Sequence, residues 1–304
     1  MKVTAIIVTY NGARWLHSCF GSLRASVHPV SVIAVDNGST DGTPDLLRAE
    51  FPEVEVVQAP RNLGFGQGNN LGIRLALDRG TDHVFLLNQD AWVLPDTIGR
   101  LVHTASLHPE LGVLSPIHLN GAGDAQDHKF ARYTAPAKCP GLQHDLEAGT
   151  AVGRVYPCAF VNAAAWLVTR HCLLTVGGFD PAFFHYGEDD NYLHRVQHHG
   201  LRLGVVPDAV IHHDRAERAE DMRPAQRRAA LVREVKLRFA DPRSNADPVA
   251  ERRALRRDLF RALLRLDLGQ ARVCRDHLAM LHEADVDGAV QGRDRARQPG
   301  PSFL

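Results

Sequence analysis

Three short stretches of this chain combine residue types that act on charged or hydroxylic ligands. Asp90 follows the apolar run 83–87 through Asn88-Gln89 and leads into Ala91-Trp92-Val93. A carboxylate there can hold a hard cation, because Mg²⁺ or Mn²⁺ takes one or two protein carboxylates and completes its shell with phosphate oxygens and water. An ordinary turn or helix-capping Asp has the same signature. Residues 183–191 set Glu188, Asp189 and Asp190 beside Phe184, His185 and Tyr186. If these acids open a helix over 191–198, the helix N-terminus stabilises their charge. One carboxylate beside a hydroxyl substrate can then act as general base. Glu188 can instead bind an acceptor or fix the loop, and a solvated acidic cap is the plain alternative. The third stretch is His212-His213-Asp214. Side chains alternate along a strand, so at most one of the two histidines faces a given site. A His and an Asp converging suit Mn²⁺, although surface or core roles also fit in a chain with 17 histidines.

The elements that must position these residues follow from periodicity. Residues 2–9, 30–35, 54–58 and 83–87 are short runs rich in Val, Ile and Leu, which predicts strands. Between them, 14–26, 43–51 and 69–79 carry helical spacing, with Pro44 suited to a first turn. Strand alternating with helix predicts a doubly wound, mostly parallel sheet flanked by helices. Ligands of such sheets bind outside the carboxyl ends of the strands. Thr9-Tyr10-Asn11, Asp36-Asn37 and Asn88-Gln89-Asp90 all stand at such ends. Residues 115–153 are weakly periodic and read as loops or an irregular hairpin insertion. A short strand is expected at 203–206. Beyond Pro224 the chain reads as helical, with an apolar stripe at Leu255, Leu259, Leu263 and Leu266 among arginines. Residues 288–304 lack periodicity and read as an unstructured tail.

Composition bounds the rest. The 304 residues are 44% hydrophobic and 23% charged, which excludes a disordered, collagenous or simple coiled-coil chain. No apolar run reaches the roughly 20 residues of a membrane span, and the N-terminus has no secretory signal pattern. Five scattered cysteines read as reduced thiols of a cytosolic protein, not disulfides or a zinc site. Net charge is zero, yet its distribution is uneven. From Arg215 onward 20 Lys and Arg face 14 Asp and Glu, leaving 15 against 21 in residues 1–214, so the two parts carry +6 and −6. The basic part is either a set of solvated helix faces or a surface drawn to an anionic membrane or a phosphorylated partner. Nothing reads as a phosphate-cradling P-loop. In Arg61-Asn62-Leu63-Gly64-Phe65-Gly66-Gln67-Gly68 the glycines allow close backbone approach to a ligand, and Arg61 can contact phosphate.

Taken in order, several of these pieces resemble a family 2 glycosyltransferase of the GT-A fold, especially its rhamnosyltransferase-like bacterial branch. They are Val8-Thr9-Tyr10-Asn11, Val35 through Gly42, Arg61 through Asn70, Leu86 through Asp90, Gly177 through Pro181, Phe184 through Asp189 and Pro207 through His213. The resemblance spans about residues 1–215. It implies a GT-A domain over 1–214, with a nucleotide-binding half at 1–114 and an acceptor and catalytic half at 115–214. An Arg-rich helical extension would follow at 215–287.

The resemblance also implies roles. Thr9, Tyr10, Asn11, Asp36 and Asn37 would hold the base and ribose of a nucleotide-sugar donor. Arg61, Asn62 and Gly64 would line the same pocket. Asn88-Gln89-Asp90 stands where the family has its Asp-x-Asp motif, so Asp90 would bind Mg²⁺ or Mn²⁺ on the donor diphosphate, and Asn88 leaves one carboxylate fewer. His213 would be the metal-side histidine, with His212 the alternative. Asp189 would be the general base of the Glu188-Asp189 pair in an inverting single displacement. The donor would be dTDP- or UDP-linked, with rhamnose the sugar that the branch suggests. The acceptor would be a glycan or a lipid-linked hydroxyl in cell-surface polysaccharide or glycolipid synthesis. The chain would be cytoplasmic and contact no nucleic acid; from charge and helical periodicity alone, its Arg-rich region is expected to touch the inner membrane face peripherally. A catalytically silent nucleotide-sugar-binding scaffold is the competing class. A nucleotidyltransferase is a third, and Tyr10-Asn11-Gly12-Ala13-Arg14 is a poor phosphate loop for it.

Overall fold

The computed structural model describes residues 1–215 and 223–304. The strands are β1 (Val3–Thr9), β2 (Val30–Asp36), β3 (Glu55–Gln58), β4 (His83–Leu87), β5 (Ala91–Val93), β6 (Leu111–Asn120), β7 (Tyr156–Cys158), β8 (Ala165–Thr169) and β9 (Arg202–His213). The helices are α1 (Leu16–Arg24), α2 (Thr43–Glu50), α3 (Gly64–Asp78), α4 (Thr97–Leu107), α5 (His128–Tyr133), α6 (Leu142–Glu147), α7 (Arg170–Val176), α8 (Glu188–His198), α9 (Pro224–Ala240), α10 (Pro248–Leu264), α11 (Leu268–Glu283) and α12 (Val286–Ala296). They form two compact units. One holds the described residues up to 215 together with Pro299–Leu304. The other holds residues 223–298. No helix among the described residues is long and apolar enough to cross a membrane.

The first unit is built on one mixed sheet, ordered β3-β2-β1-β4-β8-β6-β9-β5, with β7 also on β9. β1, β2, β3 and β4 pair in parallel, as the alternating pattern predicts. In β1, β2 and β4 most Val, Ile, Leu and Ala side chains are buried on both faces, the state in which β-branched runs are favoured, whereas the two valines of β3 are only partly buried. β8 lies antiparallel between β4 and β6, and β9 runs parallel to β6. The register brings strand ends together. Thr9 pairs with Asp36, and Ala91 pairs with His213 across β5 and β9.

Glycines let α3 lie close on this sheet. A Cβ at Gly72 would stand 2.6 Å from Ile6, and one at Gly68 would stand 2.9 Å from Val8. One at Gly66 would meet Phe179 at 2.9 Å and the Cβ of Glu188 at 3.6 Å. The close approach expected toward a ligand is thus made toward the protein's own β1 and the residues leading into α8.

The expected unstructured tail at 288–304 does not hold. α12 occupies Val286–Ala296, with Val286, Ala289 and Ala296 buried. The Asp285 side chain accepts from the Gly288 N–H at its start. Pro299–Leu304 then packs on the first unit. Gly300 N–H donates to the Thr175 carbonyl (2.9 Å) and Gly178 N–H donates to the Ser302 carbonyl (2.8 Å). Asn70 Nδ2 donates to the Phe303 carbonyl (3.2 Å), and Leu304 packs against the core.

Candidate active site

The ends of β1 and β2 form a polar cradle. Thr9 and Asp36 are fully buried, and the Thr9 hydroxyl donates to Asp36 (3.1 Å). The other Asp36 oxygen accepts from the backbone N–H groups of Gly38 (3.2 Å) and Ser39 (3.1 Å). Asn37 Nδ2 donates to the Gly64 carbonyl (3.1 Å), and its Oδ1 accepts from Leu63 N–H (3.3 Å). That ties the Asp36-Asn37 turn to the loop entering α3. Asn62 Oδ1 accepts from Gly64 N–H (2.8 Å). Gly64 has φ 77°, and a Cβ there would stand 2.2 Å from the Phe184 carbonyl oxygen, so no other residue fits. Arg61 is exposed and forms no ion pair among the described residues. Asn11 sits at φ 49°, and its Oδ1 accepts from Thr40 N–H (2.8 Å). Tyr10 is half exposed, and its backbone is held by Gln89 at both N–H (2.9 Å) and C=O (3.1 Å). The three expected polar clusters therefore share one edge.

A second group lies where β5 meets β9. Asp214 N–H donates to the Asp90 carbonyl (2.8 Å), extending the β5–β9 ladder by one step. Alternation along β9 then separates the two histidines. His212 stacks on Trp92, with ring centroids 5.4 Å apart. His213 is buried on the other face with Nε2 3.4 Å from Asp90 Oδ1. Its Nδ1 lies 3.5 Å from Asp127 Oδ2. Burial lowers the basicity of this imidazole, but the Asp127 and Asp90 carboxylates more than offset that and push it up. Asp127 in turn is held well below the usual carboxylate range. Its own burial opposes this, and His213 and the Phe130 N–H outweigh it.

Asp127 is the functional residue that sequence reasoning missed. It is the N-cap of α5, inside the stretch read as an irregular insertion, and its Oδ1 accepts from Phe130 N–H (2.8 Å). One carboxylate thus caps a helix with one oxygen and faces His213 with the other. His118 packs beside this pair. It is fully buried, stacked on Phe130 at 4.6 Å and 6.2 Å from the His213 ring.

Two protein groups, Asp90 and His213, thus converge with a spacing that suits adjacent ligands of one cation. Among the described residues no third His, Cys, Asp or Glu joins them in a metal-binding group. That donor set fits a Mg²⁺ or Mn²⁺ ion completed by diphosphate oxygens and water, not a dedicated all-protein cage. The contact from Asp127 to the second ring nitrogen is the support that metal-bound histidines usually have.

Glu188, Asp189 and Asp190 form the first turn of α8 after Gly187 at φ 92°. Glu188 is buried, and the other two are partly exposed. The expected helix over 191–198 therefore starts three residues earlier, with its acids inside the first turn. Tyr133, on α5, is pushed up by burial, and among the charges acting on it are Arg215 (lowering) and Asp189, Asp190 and Asp127 (raising). Asp127 at the start of α5 and the acids at the start of α8 therefore both act on Tyr133.

Residues 4–166 match the sequence profile of "Glycosyl transferase family 2". The chain belongs to glycosyltransferase family 2. Among relatives of this family 2 protein, an N-acetylglucosaminyl-diphospho-decaprenol L-rhamnosyltransferase of Mycobacterium tuberculosis is 29% identical over 272 residues, 79% of this chain and 84% of that one. A dTDP-rhamnosyl transferase, RfbF of Shigella flexneri, is 22% identical over 70% of this chain and 69% of its own. The fold is similar to that of the mannosyltransferase PcManGT of Pyrobaculum calidifontis, solved with GDP-Man and Mn²⁺. That likeness has a TM-score of 0.56 at 19% identity, covering 97% of this chain and 85% of the other. The family 2 glycosyltransferase is therefore rhamnosyltransferase-like and has a GT-A-type fold.

Proposed function

We propose that this glycosyltransferase moves a rhamnosyl group from a dTDP- or UDP-linked donor to a hydroxyl of a lipid-linked glycan, with inversion and with Mg²⁺ or Mn²⁺. The observation that carries the reading is the Asp90–His213 pair, backed by Asp127 and placed on the sheet edge that also presents Asp36 and Asn37. The names of the mycobacterial and Shigella relatives support the sugar, the nucleotide and the lipid-linked acceptor.

In this reading Asp36 and Asn37 orient the ribose and base, Tyr10 covers the base, and Arg61 reaches toward phosphate. Asp90 and His213 would hold the cation, whose chemistry there would be to offset negative charge on the leaving diphosphate. Asp189, at the start of α8, accepts the proton of the acceptor hydroxyl. The hydroxyl oxygen forms the new bond to the anomeric carbon as the carbon–oxygen bond to the diphosphate breaks, and that electron pair leaves with the diphosphate. An alcohol is a far weaker acid than a carboxylic acid, so proton transfer comes late, as the new bond forms. Positioned general bases contribute about 10²–10⁴-fold. The test is transfer of labelled rhamnose from dTDP- and UDP-rhamnose to a polyprenyl-diphospho-sugar, with Asp189→Asn and Asp90→Ala. Asp189→Asn should lose turnover by that factor and keep nucleotide binding, and Asp90→Ala should lose the Mn²⁺ dependence of nucleotide binding. Full turnover in Asp189→Asn would remove that residue from the role, and transfer unaffected by chelation would remove the metal.

A further inference from the structure

The helical unit has its own small core, in which Ala262, Ala271, Cys274 and Leu281 are buried. The turn from α10 to α11 is not part of it. Phe260, Leu263, Leu264, Leu266 and Leu268 are all exposed there, Phe260 by 62% and Leu266 by 84%. The apolar stripe Leu255, Leu259, Leu263, Leu266 is thus partly buried at its first two positions and runs out into solvent at its last two. Single exposed apolar residues are ordinary, whereas a contiguous cluster marks an interaction surface.

A second observation concerns the backbone. Leu266 sits at φ 56°, just past the end of α10. Gly or Asn takes that left-handed position with less strain. The most exposed leucine of the cluster therefore stands where the fold alone favours a residue with no apolar side chain. A local rule broken without gain to the fold points to function.

The third observation is charge. Residues 248–276 carry eight arginines against four acids. Among the described residues no carboxylate pairs with Arg253, Arg256, Arg265 or Arg275. On α10, Arg253, Arg257, Phe260 and Leu264 follow one another at intervals of four, three and four, so basic and apolar side chains share a face. Apolar side chains at a tip with guanidinium groups behind them match a bilayer interface, where the former reach the acyl boundary and the latter meet anionic headgroups. A symmetric contact with a second copy would bring the same arginines together and is disfavoured by that repulsion.

We propose that the α10–α11 turn is a lipid-inserting tip that docks this chain peripherally on an anionic membrane surface. The proposal does not depend on the donor, the metal or the acceptor. It is tested by flotation of the full chain with vesicles of phosphatidylcholine alone or mixed with phosphatidylglycerol, alongside light scattering without lipid. Wild type should float with the anionic vesicles and be released by salt. A Leu264→Ser, Leu266→Gly double variant should bind at least about tenfold more weakly. The Leu266→Gly single variant should weaken binding while its melting temperature stays equal or rises, because glycine relieves the left-handed position; a binding loss there is not a folding loss. Arg253→Gln with Arg257→Gln should lower binding to anionic vesicles by roughly fivefold per arginine and leave binding to neutral ones unchanged. Wild type that fails to float, or a double variant that floats like wild type, overturns the proposal. A wild-type dimer that the double variant abolishes, with vesicle binding unchanged, overturns it in favour of a second copy.

Discussion

Replacing Asp127 with Asn changes one contact of the candidate metal centre and leaves the other in place. The Asn carbonyl oxygen can still accept from Phe130 N–H, so the cap of α5 survives. The amide that replaces Oδ2 then faces His213 Nδ1, the position now 3.5 Å from a carboxylate. A carboxylate there selects the tautomer with its proton on Nδ1 and the lone pair on Nε2, toward Asp90. An amide N–H donor selects the opposite tautomer, which turns an N–H toward Asp90 and removes the lone pair a cation needs. Loss of such a supporting group typically lowers metal affinity 10–100-fold, or about 1.4–2.8 kcal/mol. The assay is a titration with Mn²⁺ in the presence of UDP or dTDP, reading free Mn²⁺ by electron paramagnetic resonance. Asp127→Asn should weaken Mn²⁺ binding by that factor with a melting temperature near wild type. Asp127→Ala should add loss of the cap, about 1 kcal/mol, seen as a drop of about 2–4 °C. Mn²⁺ affinity in Asp127→Asn equal to wild type would refute the reasoning, because the tautomer of His213 would then not depend on Asp127.

Three further predictions follow from other parts of the molecule. His118 is held well below its ordinary value of 6.5, by burial first and His213 next. The unfolded chain thus binds a proton there that the fold refuses, so stability is full above pH 6.5 and falls progressively as the pH drops below it. His118→Leu should flatten that part of the melting temperature against pH, and an unchanged slope would assign the acid sensitivity elsewhere. Gly72→Ala would ordinarily favour a helix by about 1 kcal/mol, but its Cβ would stand 2.6 Å from Ile6. The expected sign in urea unfolding is therefore a net loss of about 1–3 kcal/mol. Arg195 is fully buried on α8, donates to the Val176 and Gly178 carbonyls and lies 5.0 Å from the Phe303 ring. Arg195→Met removes those donors, each missing bond leaving a buried carbonyl unsatisfied at about 1–3 kcal/mol. A matching fall in thermal stability is expected.

The sequence made the strands and the polar residues at their ends legible for a physical reason. β1, β2 and β4 are buried on both faces, so their composition alone marks them, and the polar residues that end them are the ones that meet at the sheet edge. α3 was expected to begin at residue 69 and begins at Gly64, because Gly64, Gly66 and Gly68 lower helix propensity while close packing on Val8, Phe179 and Phe184 more than restores it. β9 was expected as a short strand and is one strand from Arg202 to His213. Its register against β6 jumps from Val206 to Val210, so Pro207 falls in a bulge where it costs no ladder bond. α5 and Asp127 were hidden for a different reason. A six-residue helix has too few turns to show a period, and its capping Asp reads like any turn Asp. What distinguishes Asp127 is the histidine it faces, 86 positions along the chain, and no local pattern encodes that pairing.

Pro299–Leu304 sits on the transferase unit, while the helical unit occupies the chain between. In the wiring of the chain, the four C-terminal helices are therefore a cassette spliced into the transferase, with a polypeptide connection at each end. Cutting after residue 215 would discard more than the cassette. It would strip Ser302 from Gly178 and Phe303 from Asn70, and uncover the apolar surface under Leu304. Dissection or exchange of the helical unit has to be an excision that rejoins the chain ahead of Pro299, and chimaeras made in that way would carry a different cassette on an unaltered catalytic body.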